Sequence, residues 1–301
     1  MQPVSRETKA MPVPSSSSRG AIVAVIAANV ALAFGPWFVR LADTGPVAAA
    51  FWRIALAVPV LLAAAAWVDR GALRRGRLLW PALLVAGVAF ALDLGSWHVG
   101  ILGTTLANST LFGNCAVLIF PVYGFLAMRR WPTRAQGAAL ALAAIGGAVL
   151  LGRSAELSPR HLAGDLFCLL AGVLYAVYFI VMARVRREMP PLPALALSSL
   201  ASLLPLLLIA LALGETIMPT DWTPLLGLAL VSQIVGQGLM IYALGHLSPL
   251  VIGLALLVQP VVAGTIGWSV YGEALTPLDA VGALLVAAAL AIVSTQRSPD
   301  R

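Results

Sequence analysis

Residues 249–271 read PLVIGLALLVQPVVAGTIGWSVY, twenty-three positions without one charged side chain. At about 1.5 Å per residue such a run makes a helix of roughly 35 Å, longer than the approximately 30 Å hydrocarbon layer of a bilayer. In lipid every backbone N–H and C=O must be satisfied internally, and a helix does this within one segment. Residues 249–271 are therefore predicted to cross a membrane as a helix. The same texture continues on either side. Arg, Pro and Gly punctuate the chain into ten apolar runs, at 21–39, 47–68, 79–99, 103–127, 134–152, 163–184, 192–213, 223–243, 249–271 and 277–295. Barrel strands would instead read as alternating segments of about ten residues.

The bulk composition agrees. Of 301 residues, 60% are hydrophobic and 10% charged, and the mean hydropathy is +0.95; soluble domains carry about 25% charged residues. A water-soluble globule is excluded. Ten crossings of about 20 residues each leave only short connections, so no sizeable domain is expected outside the lipid. Residues 1–19, MQPVSRETKAMPVPSSSSR, are rich in Pro and Ser without apolar periodicity and are expected to form a disordered cytoplasmic tail. The run at 21–39 exceeds the roughly 7–15 residues of a signal-peptide core and is read as an uncleaved first span. Cys115 and Cys168 lie inside apolar runs, where cysteine acts as a small hydrophobe.

Strict alternation across ten spans sorts the cations. With the amino terminus in the cytoplasm, fifteen Lys and Arg fall on that side, among them Arg70, Arg74, Arg75, Arg77, Arg129, Arg130, Arg134, Arg184, Arg186, Arg187, Arg297 and Arg301. Only Arg40, Arg153 and Arg160 fall outside. Positive charge marks cytoplasmic loops, so both termini are expected inside, in a multi-pass protein of the plasma (inner) membrane. The net charge of +7 is thereby an orientation signal. Nucleic acid is not an expected partner, and contact with anionic lipid is secondary.

Shifting the chain by 143 residues lays Pro81 on Pro224, Gly95 on Gly238, Gly124 on Gly267 and Thr133 on Thr276, and span boundaries coincide. Each half, 20–152 and 163–296, holds five spans. An odd number inverts the second copy, a common plan of secondary transporters, which bind substrate where the halves meet. The expected fold is an all-α membrane protein of ten helices in two inverted five-helix repeats.

The stretch from Tyr242 to Leu285 adds a resemblance. Ala243-Leu244, Pro260, Gly272-Glu273 and Gly282 stand at the spacing seen in EamA-type members of the drug/metabolite transporter superfamily. The first half carries a weaker copy, with Val117 in place of the Pro and Arg130 in place of the Glu. The resemblance implies a ten-helix exporter or permease with cytoplasmic termini, similar in overall look to amino-acid exporters. It also implies a cavity formed mainly by the first, third, fourth, sixth, eighth and ninth helices.

Polar groups inside spans are costly and point to function. Asp93 is the one acid well inside a span. Phe90, Asp93, Leu94 and Trp97 share a helix face, and Gln233, Gly236, Gln237 and Met240 repeat the spacing in the eighth span. The 143-residue shift maps the first set onto the second, so the two faces are expected to meet and line a cavity. Tyr175 and Tyr178 in the sixth span and Trp37 in the first add rings for partly apolar solutes. Asn108 and Asn114 point to different faces of the fourth span; Asn108 is the expected lining residue, and Asn114 is expected to hold helices together. Gln233 and Gln237 have the plainer alternative of bonding a neighbouring helix.

Arg53 is expected to snorkel outward or to pair with Asp93, with contact to a substrate carboxylate as the alternative. His98 and His246, at span ends, are expected to be solvated. Trp52, Trp67, Trp80, Trp131 and Trp222 read as an interfacial belt. Pro36, Pro121 and Pro260 are expected to kink their helices.

These residues point to an alternating-access exporter of neutral or aromatic amino acids, or of similar small metabolites, with a monomer expected to suffice. An organophosphate exchanger would need several intramembrane Lys or Arg, and the chain has one. A proton-coupled multidrug exporter, using Asp93 for coupling, is a further alternative. No HExxH, GxSxG or Cys/His cluster occurs, so neither an enzyme, a metal site nor a cofactor is expected. A structural subunit of a membrane complex would have its centre filled by side chains.

Overall fold

In the computed structural model, which describes residues 15–69, 71, 76–129, 131–157, 159–273 and 277–294, the regular elements of the described residues are all helices. In chain order they form α1 (Gly20–Leu41), α2 (Pro46–Val68), α3 (Trp80–Ile101), α4 (Leu106–Met128), α5 (Arg134–Leu157), α6 (His161–Val185), α7 (Pro191–Ala212), α8 (Thr223–Leu244), α9 (Pro249–Tyr271) and α10 (Pro277–Ser294). Among the described residues, α1 to α4 and α6 to α9 are long and apolar enough to cross a membrane by length and composition. The chain is an integral, multi-pass membrane protein. Residues 1–14 of the expected tail, and Arg70, Arg74, Arg75, Arg130, Arg297 and Arg301 of the charge count, lie outside the described residues.

Helix starts follow local chemistry. Proline opens α2, α3, α7, α8 and α9, where its missing N–H costs nothing. Thr105 caps α4 by accepting the Asn108 amide at 3.2 Å, and Ser248 caps α9 by accepting that of Val251 at 3.4 Å. Both α4 and α9 end on a left-handed residue, Arg129 with φ 51° and Gly272 with φ 62°.

Three rods are interrupted. The break in α1 falls at Phe34, just before Pro36. The break in α9 falls at Leu256 and Leu257, where the ring of Pro260 removes the amide bond to Leu256. In α4 the break lies at Asn114 and Cys115, several residues ahead of Pro121, which continues inside its helix. Within α8, Leu228–Gln237 is wound as a π-helix.

Small residues allow close packing where apolar lipid offers no hydrophobic drive between helices. A methyl group on Gly100 of α3 would stand 2.5 Å from Cys168 Sγ and 2.7 Å from the Gly164 carbonyl oxygen of α6. Helix contacts come in counterpart pairs: α3 packs on α6 and α8 on α1, α4 on α6 and α9 on α1, α3 on α7 and α8 on α2. The pairs α2–α7, α4–α9 and α5–α10 also pack together.

Polar contacts gather at two ends. At one, Arg40 Nη1 pairs with Glu273 at 2.7 Å while its Nη2 donates to the Thr104 carbonyl at 2.6 Å. The Leu106 amide donates to the same Glu273 carboxylate at 3.0 Å. There too Glu215 accepts the Ala48 amide at 2.7 Å, capping α2, and Trp52 Nε1 donates to the Ile217 carbonyl at 2.7 Å. At the other end Arg184 Nη2 donates to Tyr123 OH at 2.8 Å, and Arg186 Nε donates to the Ile241 carbonyl at 3.0 Å.

Candidate functional site

Burial of polar groups is concentrated at the centre. Arg53, Asp93, Asn114, Gln233, Gln237 and Gln259 are all less than a tenth exposed. Such groups are costly in lipid unless partnered or used. A cavity opens among them. Leu32 of α1, Arg53 of α2, and Phe90, Asp93, Leu94 and Trp97 of α3 form one wall. Gly113 and Asn114 at the α4 interruption, Tyr175 of α6, Gln237 of α8 and Gln259 of α9 complete it. Its free volume is about 30 Å³, room for about two water molecules.

The guanidinium of Arg53, 1% exposed, donates from Nε to Gln233 Oε1 at 3.1 Å. Gln233 is anchored in turn, its Nε2 donating to Ser199 Oγ of α7 at 3.1 Å. Arg53 Nη1 is buried without a hydrogen-bond partner. Asp93 interacts electrostatically with Arg53, but the two form no ion pair within 4 Å; among the described residues that contact is made by Arg40 and Glu273. Snorkelling is thus replaced by burial, because Gln233 gives the guanidinium an internal partner.

Aromatic rings shape the wall. Phe90 stacks on Tyr178 with centroids 4.5 Å apart, and Tyr175 OH donates to Gln237 Oε1 at 3.1 Å. Trp97 Nε1 donates to the Ser109 carbonyl of α4 at 2.8 Å, fixing its indole against Gly113. Gln259 Nε2 donates to Asn29 Oδ1 at 2.8 Å, tying α9 to α1.

Of the residues singled out from sequence, Phe90, Asp93, Trp97, Tyr175 and Gln237 line this cavity. Tyr178, Gln233 and Met240 are fully buried and do not line it; Tyr178 stacks on Phe90 and Gln233 bonds Arg53. Trp37 stacks on Phe38 in the second part of α1, with centroids 5.4 Å apart, and does not line the cavity. Asn108 is buried in α4 but does not line the cavity; Asn114 does, and its Nδ2 also donates to the Leu256 carbonyl at 3.4 Å. The helix break at Asn114 explains the exchange, since face arithmetic assumed an unbroken helix. A π-helix interrupts the α-helical winding of α8. Its i→i+5 ladder winds more residues per turn and turns Met240 away from the face of Gln233, and of Gln233, Gln237 and Met240 the cavity is lined by Gln237.

His98 departs from expectation. It is fully buried, with Nδ1 3.0 Å from the Pro46 carbonyl oxygen, which requires the proton on Nδ1. His246 is exposed, as expected, and lies against the Tyr242 ring. Trp67 and Trp131 are exposed at rod ends, while Trp52 and Trp222 pack edge to face at 4.9 Å. Arg53, Asn29 and Gln259 are the central residues that sequence reading undervalued or missed. The signal for each was a polar side chain in an otherwise apolar run.

Comparison with known proteins adds a family match over part of the chain and a fold. Residues 162–295 match the model of the EamA-like transporter family, over nearly the stretch expected as the second repeat. No curated protein sequence matches the chain. A solved structure described as a crystal structure of a protein superposes with a TM-score of 0.72 at 17% identity, covering 93% of this chain and 97% of that one.

Proposed function

We propose that this membrane protein, which carries an EamA-like transporter domain over residues 162–295, exports neutral or aromatic amino acids, or small metabolites of like chemistry, by alternating access. The observation that carries the reading is the central cavity, where aromatic rings, one acid, one guanidinium and three amides from seven rods converge. Phe90, Asp93, Trp97, Tyr175 and Gln237 contact the substrate. Tyr178, stacked on Phe90, and Gln233, bonded to Arg53, brace the wall.

Several observations support ten crossings with inverted halves. The amino end of α6 packs through Gly164 on Gly100 and Gly103, near the end that holds Arg40. The carboxyl part of α4 packs through Gly124 on Pro249, at the opposite end. The chain must travel between those ends through residues 129–160, and α5, with 24 residues, is about 36 Å long. The caps at Thr105 and Ser248, and the left-handed ends at Arg129 and Gly272, are each 143 residues apart. The counterpart helix contacts follow the same shift. Positive-inside counting then puts the Arg40–Glu273 end outside and both termini in the cytoplasm of a plasma (inner) membrane protein.

A cavity of about 30 Å³ holds water but no amino acid. Transport therefore requires α4 and α9, both interrupted at the cavity, to part from the other rods. The narrowness also favours a second reading, a structural subunit with a packed centre. Efflux of labelled phenylalanine and leucine from proteoliposomes separates the two. Movement above protein-free vesicles supports export, and none, beside a working control transporter, overturns it.

A further inference from the structure

We infer that Arg53 and Asp93 together read both charges of a zwitterion, the guanidinium taking the carboxylate of an α-amino acid and the aspartate its ammonium group. The inference rests on the amino-acid reading above and adds a charge requirement to it.

Two opposite charges buried in one low-dielectric site ordinarily close into a pair, because an unpaired buried ion is costly. Here they line one cavity without closing. Arg53 is held toward α8 by Gln233, which is fixed by Ser199. Its Nη1 has no partner. Asp93, on α3, makes no hydrogen bond to another described residue and faces the same space. A ligand of one sign satisfies one group and strands the other. A zwitterion satisfies both, and a carboxylate fits the planar fork of a guanidinium in a way a point charge does not. The rest of the wall is Leu32, Leu94, Gly113, Phe90, Trp97 and Tyr175 with amides, and it carries no third charge. Uncharged side chains are thus the ones the pocket accepts.

The test is inhibition of labelled phenylalanine counterflow by unlabelled analogues, with the full chain in proteoliposomes. Phenylalanine itself is compared with phenylalanine amide, which lacks the carboxylate, and with 3-phenylpropanoate, which lacks the amine. The expected result is that each analogue inhibits about a hundredfold or more weakly, because it leaves a buried ion unpaired. Asp93→Asn is expected to narrow the gap for 3-phenylpropanoate and leave the gap for the amide. Either analogue inhibiting within about threefold of phenylalanine in the unaltered protein overturns the two-charge reading while leaving amino-acid export standing. Absence of phenylalanine counterflow, beside a working control transporter, overturns both. Because the analogue series needs no variant, a failure of Asp93→Asn to fold does not blunt it.

Discussion

Gln233 decides whether Arg53 is available, and two substitutions there separate its structural and functional parts. In Gln233→Leu the guanidinium loses the 3.1 Å contact to Oε1, and Ser199 loses the 3.1 Å donation from Nε2. A hydrogen bond to a charged group is worth about 1.5–3 kcal/mol, and an interhelical amide bond in lipid about 0.6 kcal/mol. The expected loss is thus roughly 2–4 kcal/mol, followed by tryptophan fluorescence during unfolding in mixed micelles. Gln233→Glu puts a carboxylate in the same place. It pairs with Arg53, preserves or raises stability, and competes with the substrate carboxylate, so affinity for amino acid falls about tenfold or more. If Gln233→Leu stayed within about 0.5 kcal/mol of the parent, or Gln233→Glu transported like it, Gln233 would not be what holds Arg53 in place.

Other outcomes follow from the same geometry. Gly100→Ala drives a methyl into Cys168 and Gly164 and should cost about 1–3 kcal/mol, lowering the melting temperature, whereas Gly137→Ala, with open space around it, should not. Glu273→Gln removes the Arg40 ion pair, whose side chains are 17% exposed. The expected loss is about 1–3 kcal/mol, between the values for exposed and buried pairs, and it should shrink as salt is added. Asp43 lies in the loop before α2, and hydrogen bonds from Thr220 hold its carboxyl below the usual range. A lowered folded pKa gives stability that is present above the ordinary carboxylate pKa and lost as pH falls through the lowered one. Acid melting curves of the parent should therefore fall more steeply across that window than those of Asp43→Asn.

Hydropathy made the rods legible, because lipid forces long apolar helices whatever their partners. Asp93, Phe90, Trp97, Tyr175 and Gln237 were legible for a related reason: an intramembrane polar or aromatic face needs a use. Depth of burial was harder to read. Arg53 and His98 sit at positions from which a side chain could reach an interface, and only the neighbours Gln233 and Pro46 keep them inside. Helix interruptions were the other hidden element. Neither the winding of Leu228–Gln237 nor the break at Asn114 has a proline within it to mark it in the sequence, and in α4 it is Asn114, at the break, that meets the cavity.

Access to the cavity from both membrane faces tests alternating access most directly. Leu32 lines the cavity, and Leu32→Cys, with Cys115 and Cys168 replaced, places one small thiol there. A membrane-impermeant thiol reagent should label it from either side of oriented vesicles, with phenylalanine slowing both reactions. Labelling from neither side, or from one side alone, would contradict a cavity that opens alternately to the two faces.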